Sequence, residues 1–369
     1  MKRVLILTSN TGGGHWSVAR TLGRALTSVG ETAVTIADPF IWKGQSVVGR
    51  LNSFYAPVIV RFPLAWGPIY HGTNSDGLFR VLALLAHRLG GDSLSSLLNE
   101  SKPDAVISVH PLCNHLTVQG LKSLGQRVPL VTVPTELACL HAAWVSPDTH
   151  CYIVASEEMK RAIVGVGVEA TRVHCHGIPI DPLFASNGSS QGEARRALGL
   201  DEGRFTALVT GGGEGAGGLL GAVNAIAEAG LDLQLLVVCG RNRSLRRKLD
   251  AMRLNLPVRV FGFVQEMPAL MGASDVVITK AGSVTIAEAM AAGKPIALIK
   301  ALPGQEQGNI GFVVGKGLGA YTPSPSLLVK KLQGWMENPE QRALIGGNAH
   351  RLSRPLAALE AARLVSSVV

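Results

Sequence analysis

Cysteine is scarce in this chain. Five residues (Cys113, Cys139, Cys151, Cys175 and Cys239) are scattered over 369 positions, and no CxxC pair occurs. An odd, dispersed set argues against a disulfide scaffold and for a reducing compartment. No apolar run reaches membrane-spanning length. The start, "MKRVLILTSN", has only four apolar residues in a row before polar ones, too few for a secretory signal core. The expected location is therefore cytoplasmic. Charged residues make up only 17%, but hydrophobic residues reach 47%, so disorder is excluded as well. The net charge of +9 comes without a recognisable nucleic-acid module, so nucleic acid is not an expected partner.

What is present points to an α/β protein. The length suits two domains of ordinary size, and 43 glycines suit many tight strand-to-helix turns. The basic excess is spread over both halves, which favours anionic ligands such as nucleotide phosphates or acidic lipid surfaces. Strand-like runs alternate with helical segments in two series. The first is "VLIL" (4–7), "AVTI" (33–36), "AVISV" (105–109), "LVTV" (130–133) and "CYIVAS" (151–156). The second is "TALVT" (206–210), "QLLVVC" (234–239), "VRVFGF" (258–263), "VVIT" (276–279) and "PIALI" (295–299). Continuous apolar strands of this kind fit parallel sheets covered on both faces. A proline-, glycine- and serine-bearing stretch over 175–198 separates the series. It predicts a boundary after residue 184 and a second domain over 185–349.

Two glycine turns follow first strands. "TSNTGGGHWSVAR" places Gly12, Gly13 and Gly14 on a turn, with His15 opening a helix marked by Val18, Leu22, Ala25, Leu26 and Val29. Glycines there admit a ligand to the backbone, and a helix N-terminus attracts negative charge. The same dipole disfavours an imidazolium, so His15 tends to stay neutral and able to accept a proton. A turn whose histidine only caps or packs is the competing reading. The second turn, "GGGEGAGG" (211–218), matches GxGxxG at Gly213, Gly215 and Gly218, a weak signal in a run of glycines. A dinucleotide site could use either turn, but two such turns in one chain suit two Rossmann-like domains better. The segment "ITKAGSVTIAEAMAAGKPIALIKALPGQEQGN" (278–309) adds a helix carrying Glu288, placed to accept ribose hydroxyls. A loop with Gln305, Glu306, Gln307 and Asn309 follows, suited to sugar hydroxyls.

These stretches, with "SVHPLCNH", "TELACLHAAW", "VVCGRN", "TKAGSVTIAEA" and "LPGQEQGN", resemble glycosyltransferase family 28 over nearly the whole chain. The likeness is closest to the monogalactosyldiacylglycerol synthases and the processive diacylglycerol glucosyltransferases. The resemblance implies a GT-B fold: two Rossmann-like domains facing a cleft, residues 1–184 serving acceptor and membrane, 185–349 the UDP-sugar, and a C-terminal helix (350–369) packing back on the first. It implies an inverting transfer of hexose, galactose favoured over glucose, from a UDP-sugar to diacylglycerol to make a glycolipid. It assigns His15 as general base and Glu136 a supporting role. The family usually has Asp where Glu136 stands. Gly13, Gly14, His110 and His141 are assigned to the acceptor side.

The resemblance also assigns the donor. Gly211, Gly212, Gly213, Glu214 and Gly215 face the diphosphate, Phe263 and Val264 the uracil, and Glu288 the ribose, with Gly282, Ser283 and Thr285 on its turn. Gln305 and Glu306 take the sugar, with Asn309 nearby, and Arg241 and Asn242 approach the nucleotide. Free N–H groups and a helix dipole can stabilise departing UDP, and no DxD occurs, so no metal or other cofactor is expected. In "HPLCNH", His110 and His115 lack a clear third metal ligand, and "HCH" (174–176) abuts the interdomain linker. Arg243, Arg246, Arg247 and Lys248 read as a solvated helix face or a membrane contact.

Eight of the eighteen aromatics fall between residues 40 and 80: Phe40, Trp42, Phe54, Tyr55, Phe62, Trp66, Tyr70 and Phe79. Lys43, Arg50, Arg61, Arg80 and Arg88 surround them, with one acid, Asp76. This mixture suits an anionic membrane surface, so peripheral attachment to the inner face of the cell membrane is expected. Competing readings are a UDP-N-acetylglucosamine transferase with a polyprenyl-linked acceptor, a non-catalytic UDP-sugar-binding regulator and, last, a nicotinamide dehydrogenase.

Overall fold

Apolar runs too continuous to leave a solvent face become central parallel strands. The computed structural model describes residues 1–9, 13–42, 63–75, 77–78, 81, 93–185 and 190–369. The first sheet holds β1 (Lys2–Leu7), β2 (Thr32–Ala37), β3 (Ala105–Ser108), β4 (Leu130–Thr132), β5 (Cys151–Val154) and β6 (Val173–Cys175). Their order is β2-β1-β3-β4-β5-β6, parallel throughout. The second sheet holds β7 (Phe205–Thr210), β8 (Leu233–Val238), β9 (Val258–Phe261), β10 (Val276–Lys280), β11 (Ile296–Lys300) and β12 (Gly319–Tyr321). Its order is β12-β11-β10-β7-β8-β9, again all parallel. The strands β3, β4, β5 and β8 are buried along their full length, which is why they read as unbroken apolar runs.

The sequence pattern missed two strands, β6 and β12. Each is an edge strand of three residues, "VHC" and "GAY", too short and too mixed for an apolar run to show.

Each sheet reverses its strand order once, between β1 and β3 in the first and between β7 and β10 in the second. In open parallel sheets the ligand crevice lies beyond the C-terminal ends of the strands at such a reversal. The glycine turn over 211–218 follows β7, and Gly13 and Gly14 begin the helix after β1.

The chain divides into two compact units. One comprises Met1–Ile180, Leu302–Gln305 and Leu356–Val369, the other Asp181–Ala301 and Glu306–Pro355. The division falls four residues before the expected end at 184. A short 3-10 turn, Pro182–Phe184, packs on the helices Met267–Ala273 and Ser283–Ala291 through buried Phe184, and so belongs to the second unit. The expected returning helix over 350–369 is shorter as well. Helix α1 (Gly13–Val29) packs against the last helix, Ala357–Val368, whereas the helix Pro339–Leu352 stays with the second unit. Pro355 stands at the break between them.

The last helix meets α1 through small buried residues, Ala357, Ala358, Ala361 and Ala362, with Val365. Lys2 Nζ also donates to the Ser366 carbonyl (2.8 Å). Small side chains set a close approach, so Ala361→Leu should overpack the contact and cost about 1–3 kcal/mol. Urea unfolding followed by tryptophan fluorescence checks this, with exposed Arg363→Leu expected to stay within about 0.5 kcal/mol of the parent.

Candidate active site

The first unit gathers imidazoles at its strand reversal. Gly13 and Gly14 form the first turn of α1 and His15 is its third residue, not its opening one. Gly12 lies outside the described residues. His15 Nδ1 sits 2.8 Å from the Val109 carbonyl at the end of β3 and 3.1 Å from Thr135 Oγ1 beyond β4. A carbonyl only accepts, so Nδ1 carries the ring hydrogen of the neutral imidazole and Nε2 keeps its lone pair. Burial lowers the His15 pKa to about 4, against the raising effect of the Val109 bond. The His110 ring meets it edge-on at 4.7 Å. Burial, then the His15 charge, push His110 well below the usual histidine range. Phe40 and Trp144 stand beside this pair, each with a ring 6.3 Å away. The site therefore holds a neutral imidazole with a defined tautomer, the state a general base needs.

The supporting residues differ from expectation. The oxygens at His15 Nδ1 come from Val109 and Thr135, neither of which the sequence reading singled out. Glu136, next in the chain, is buried and accepts from Gln305 Nε2 at 3.0 Å. Gln305 thus groups with the first unit and Glu306 with the second. His141 is a structural connector: its Nδ1 accepts from the Ala143 amide (3.1 Å), capping a 3-10 turn, which leaves Nε2 to donate to the Tyr70 carbonyl (3.1 Å). The rings of Tyr70 and His141 lie 4.6 Å apart. Burial, then the Glu136 and Cys139 charges, push the Tyr70 phenol up. Gly304 is confined to glycine because a Cβ would fall 2.6 Å from Tyr70 Cδ1 at a φ of +79°.

The second unit builds an anion cradle at its own reversal. The turn after β7 is laced to the loop after β8: Arg241 N donates to Gly213 O (2.8 Å) and Asn242 Nδ2 to Gly215 O (3.3 Å). A Cβ on Gly215 would fall 2.0 Å from the Cys239 carbonyl, so no other residue fits. Asn242 Oδ1 also caps the helix Arg243–Asp250 by accepting from Leu245 N (2.9 Å). Arg241 pairs with Glu214 at 2.7 Å and lies 4.9 Å over the ring of Phe263, which is 51% exposed. Val264, beside it, is half-buried. Two helices begin here, Leu219–Glu228 behind Gly218 and Ser283–Ala291 behind Gly282, and neither has a side-chain cap. A helix start of this kind is the end that attracts an anion. Thr285 and Glu288 lie on the second helix, both half-buried.

Glu288 has its carboxyl pushed up to about 8, by burial first and by the Asp181 charge second. Asn309 is fully buried, and its Nδ2 donates to Ala281 O (2.8 Å) and Ser283 Oγ (3.1 Å), bracing the turn at the start of the Glu288 helix. Glu306, also buried, forms an ion pair with Lys280. Lys280 is the lysine of "TKAG". Its signal was a lysine ending an otherwise apolar strand.

Arg243, Arg246, Arg247 and Lys248 are exposed on a helix anchored by buried Leu245 and Leu249. His174 and His176 stack at 6.0 Å, and His176 Nδ1 meets Glu360 at 3.1 Å. No group of three His, Cys, Asp or Glu side chains is placed to hold a metal ion among the described residues. Of the aromatics expected at a membrane surface, Phe40 and Tyr70 are buried, and Trp42 and Trp66 are partly buried. Phe54, Tyr55, Phe62 and Phe79 lie outside the described residues, as do Lys43, Arg50, Arg61, Asp76, Arg80 and Arg88.

Two Rossmann-like units, each a parallel sheet reversed once, make up the GT-B fold. Solved structures share this fold over the full length of both chains. They include UDP-GlcNAc 2-epimerase from Neisseria meningitidis bound to UDP-GlcNAc (TM-score 0.66, 12% identity) and Anabaena HepE in complex with UDP-glucose (TM-score 0.60, 16% identity). Fold alone does not separate epimerase from transferase, but sequence does. Residues 15–180 match the monogalactosyldiacylglycerol (MGDG) synthase family model, and residues 206–343 match the glycosyltransferase family 28 C-terminal domain. Monogalactosyldiacylglycerol synthase 1, chloroplastic, of Arabidopsis thaliana is 35% identical over 370 residues, covering 96% of this chain and 68% of that protein. The chain belongs to the monogalactosyldiacylglycerol synthase family and is a UDP-sugar-dependent transferase.

The Glu288 carboxyl binds its proton more tightly folded than unfolded. Stability should therefore fall as pH rises from the ordinary value of 4.5 towards about 8. Glu288→Gln removes this slope, so its stability relative to the parent should increase across that window. Urea midpoints at pH 5, 7 and 9 test this; parallel curves for parent and variant would refute it.

Proposed function

We propose that this protein transfers galactose from UDP-galactose to the free hydroxyl of 1,2-diacylglycerol with inversion at the anomeric carbon. The observation that carries the mechanism is His15, held by the Val109 carbonyl with Nε2 unprotonated. In this reading the acceptor oxygen attacks the anomeric carbon and its proton passes to Nε2. The bond from that carbon to the β-phosphate oxygen breaks, and its electron pair leaves with UDP. Because Nδ1 is already committed, the imidazolium formed is at once hydrogen-bonded to Val109, which lowers its cost. Backbone N–H groups of the turn after β7 and the uncapped helix start at Leu219 receive the growing charge on UDP. The reaction so read needs no metal ion. Glu288 takes the ribose hydroxyls, and ionises as these donors replace water around it. The galactose choice is supported by relatives named monogalactosyldiacylglycerol synthase.

We place the reaction at a membrane surface, on the cytoplasmic face. No helix among the described residues is long and apolar enough to cross a membrane. The stretch around the helix Pro63–Thr73 exposes Ile41, Ile69, Leu78 and Val81. Diacylglycerol stays in its bilayer, so such apolar side chains, with the net charge of +9, suit an enzyme that works on anionic lipid.

The direct test is radiolabelled UDP-galactose or UDP-glucose with diacylglycerol in phosphatidylglycerol-containing vesicles, read by lipid chromatography. His15→Ala should cut glycolipid formation by roughly 10²–10⁴-fold while UDP affinity stays within a few-fold. Because the His15 pKa is lowered to about 4, the acid limb of kcat/KM should be centred near there and not near 6.5. Retained turnover in His15→Ala would remove the base from the mechanism. Ile69→Glu should reduce co-sedimentation with the same vesicles and raise KM for diacylglycerol, leaving UDP binding unchanged. Full co-sedimentation of that variant would move the membrane contact elsewhere.

A further inference from the structure

We propose that Lys280 is the cation that meets the β-phosphate of the donor, and that Glu306 holds it in place until the donor arrives. The inference rests on reading the second unit as the UDP-sugar half-site. It concerns a residue that neither the sequence pattern nor the family match assigns.

Position is the first argument. Lys280 ends β10, and Thr210 ends the neighbouring β7, with Thr279 and Thr210 in register. These two strands flank the reversal of the sheet, where a ligand is expected. The lysine stem also lies against the glycine turn itself. Gly217 has a φ of +103°, and a Cβ there would fall 2.9 Å from Lys280 Cβ and 3.7 Å from its Cγ and Cδ. The ammonium stands over the start of the other helix: a Cβ on Gly282 would fall 3.0 Å from Nζ. Lys280 thus runs from the turn that leads to one uncapped helix N-terminus to the start of a second.

Electrostatics is the second argument. An ammonium beside helix N-termini opposes the dipole, a placement that costs about 0.3–1 kcal/mol for each terminus. Glu306 offsets part of this as the partner of Lys280, and its side chain is only 6% exposed. One carboxylate is still asked to balance a cation and two positive helix ends. A diphosphate carries the charge that would complete the set. Two buried hydroxyls at the same strand ends, Thr210 Oγ1 and Thr279 Oγ1, have no hydrogen-bond partner, a further sign of a polar site completed by ligand or ordered water.

The chemistry follows from this placement. When the bond between the anomeric carbon and the β-phosphate oxygen breaks, that oxygen keeps the electron pair and gains charge. Lys280 neutralises it without changing its own protonation. As the ammonium turns to phosphate, the Glu306 carboxylate is released to accept sugar hydroxyls. A single ion pair therefore opens into two ligand contacts.

Calorimetric titration of the full chain with UDP and UMP tests this, because UMP lacks the β-phosphate. Lys280→Met should weaken UDP by roughly 10-fold or more, the loss of one charge-assisted contact, while UMP stays within about 2-fold. kcat should fall by a larger factor than KM rises, and Lys280→Arg should recover most of the UDP affinity. Glu306→Gln should leave UDP binding equal or tighter and raise KM for UDP-galactose. Unchanged UDP affinity in Lys280→Met, or equal losses for UDP and UMP, would overturn the proposal. So would a Glu306→Gln variant that loses UDP as Lys280→Met does, because the pair would then be only structural. If the parent chain binds neither nucleotide, the donor reading itself fails, a result distinct from any change seen only in the variants.

Discussion

The reversal of strand order in a parallel sheet is the constraint on which this protein depends. Where neighbouring strands send their connections to opposite faces, the turns at their C-terminal ends splay apart and leave an open crevice. The fold makes this crevice twice. In the first unit it lies between β1 and β3, and the His15–Val109 hydrogen bond joins the segments that follow those strands. In the second it lies between β7 and β10, and Lys280 lies against Gly217 across the same gap. Backbone turns and helix starts thus reach the ligand ends of both sheets with little side chain in the way.

Each unit uses this crevice for a different electrostatic task. The first keeps imidazoles neutral by burying them: His15 has its pKa lowered to about 4, and His110 lies well below its usual range. Such groups can take a proton but do not repel an incoming hydroxyl. The second concentrates positive potential through two uncapped helix starts and a lysine, with Glu306 as the resident counterion. Buried polarity is costly when unmatched, so both arrangements are matched within their own unit. The Val109 carbonyl satisfies Nδ1, and Glu306 satisfies Lys280. What each unit then presents is a lone pair on Nε2 in the first and the positive ends of two helices in the second.

Much of this was legible in order along the chain. Among the described residues, ten of the twelve strands stand out as apolar runs because a strand covered on both faces has no polar alternation to blur it. The glycine turns are visible because close backbone contacts such as that of Gly215 with Cys239 tolerate no side chain. His15 and Glu288 could be picked out by standing just after such turns. Thr135 and Lys280 could not, since a single hydroxyl or amine at a strand end looks like any solvated residue until the neighbouring strand is known. Nor could the roles of His141 and Asn309. Their residue types suggest ligand contacts, but the Tyr70 carbonyl holds His141 Nε2 and the Ala281 carbonyl holds Asn309 Nδ2.

The sequence by itself determined the two parallel sheets, the glycine turns and the chemistry available at their ends, because these follow from local periodicity and from residues that only one backbone geometry accepts. Tertiary structure alone decided which hydrogen the imidazole carries, which acid meets which cation, and where the chain divides. Those depend on a carbonyl 94 residues away from His15 and on a carboxylate 26 residues away from Lys280. No local pattern records a distance of that kind; it is set when strands remote in sequence pair side by side.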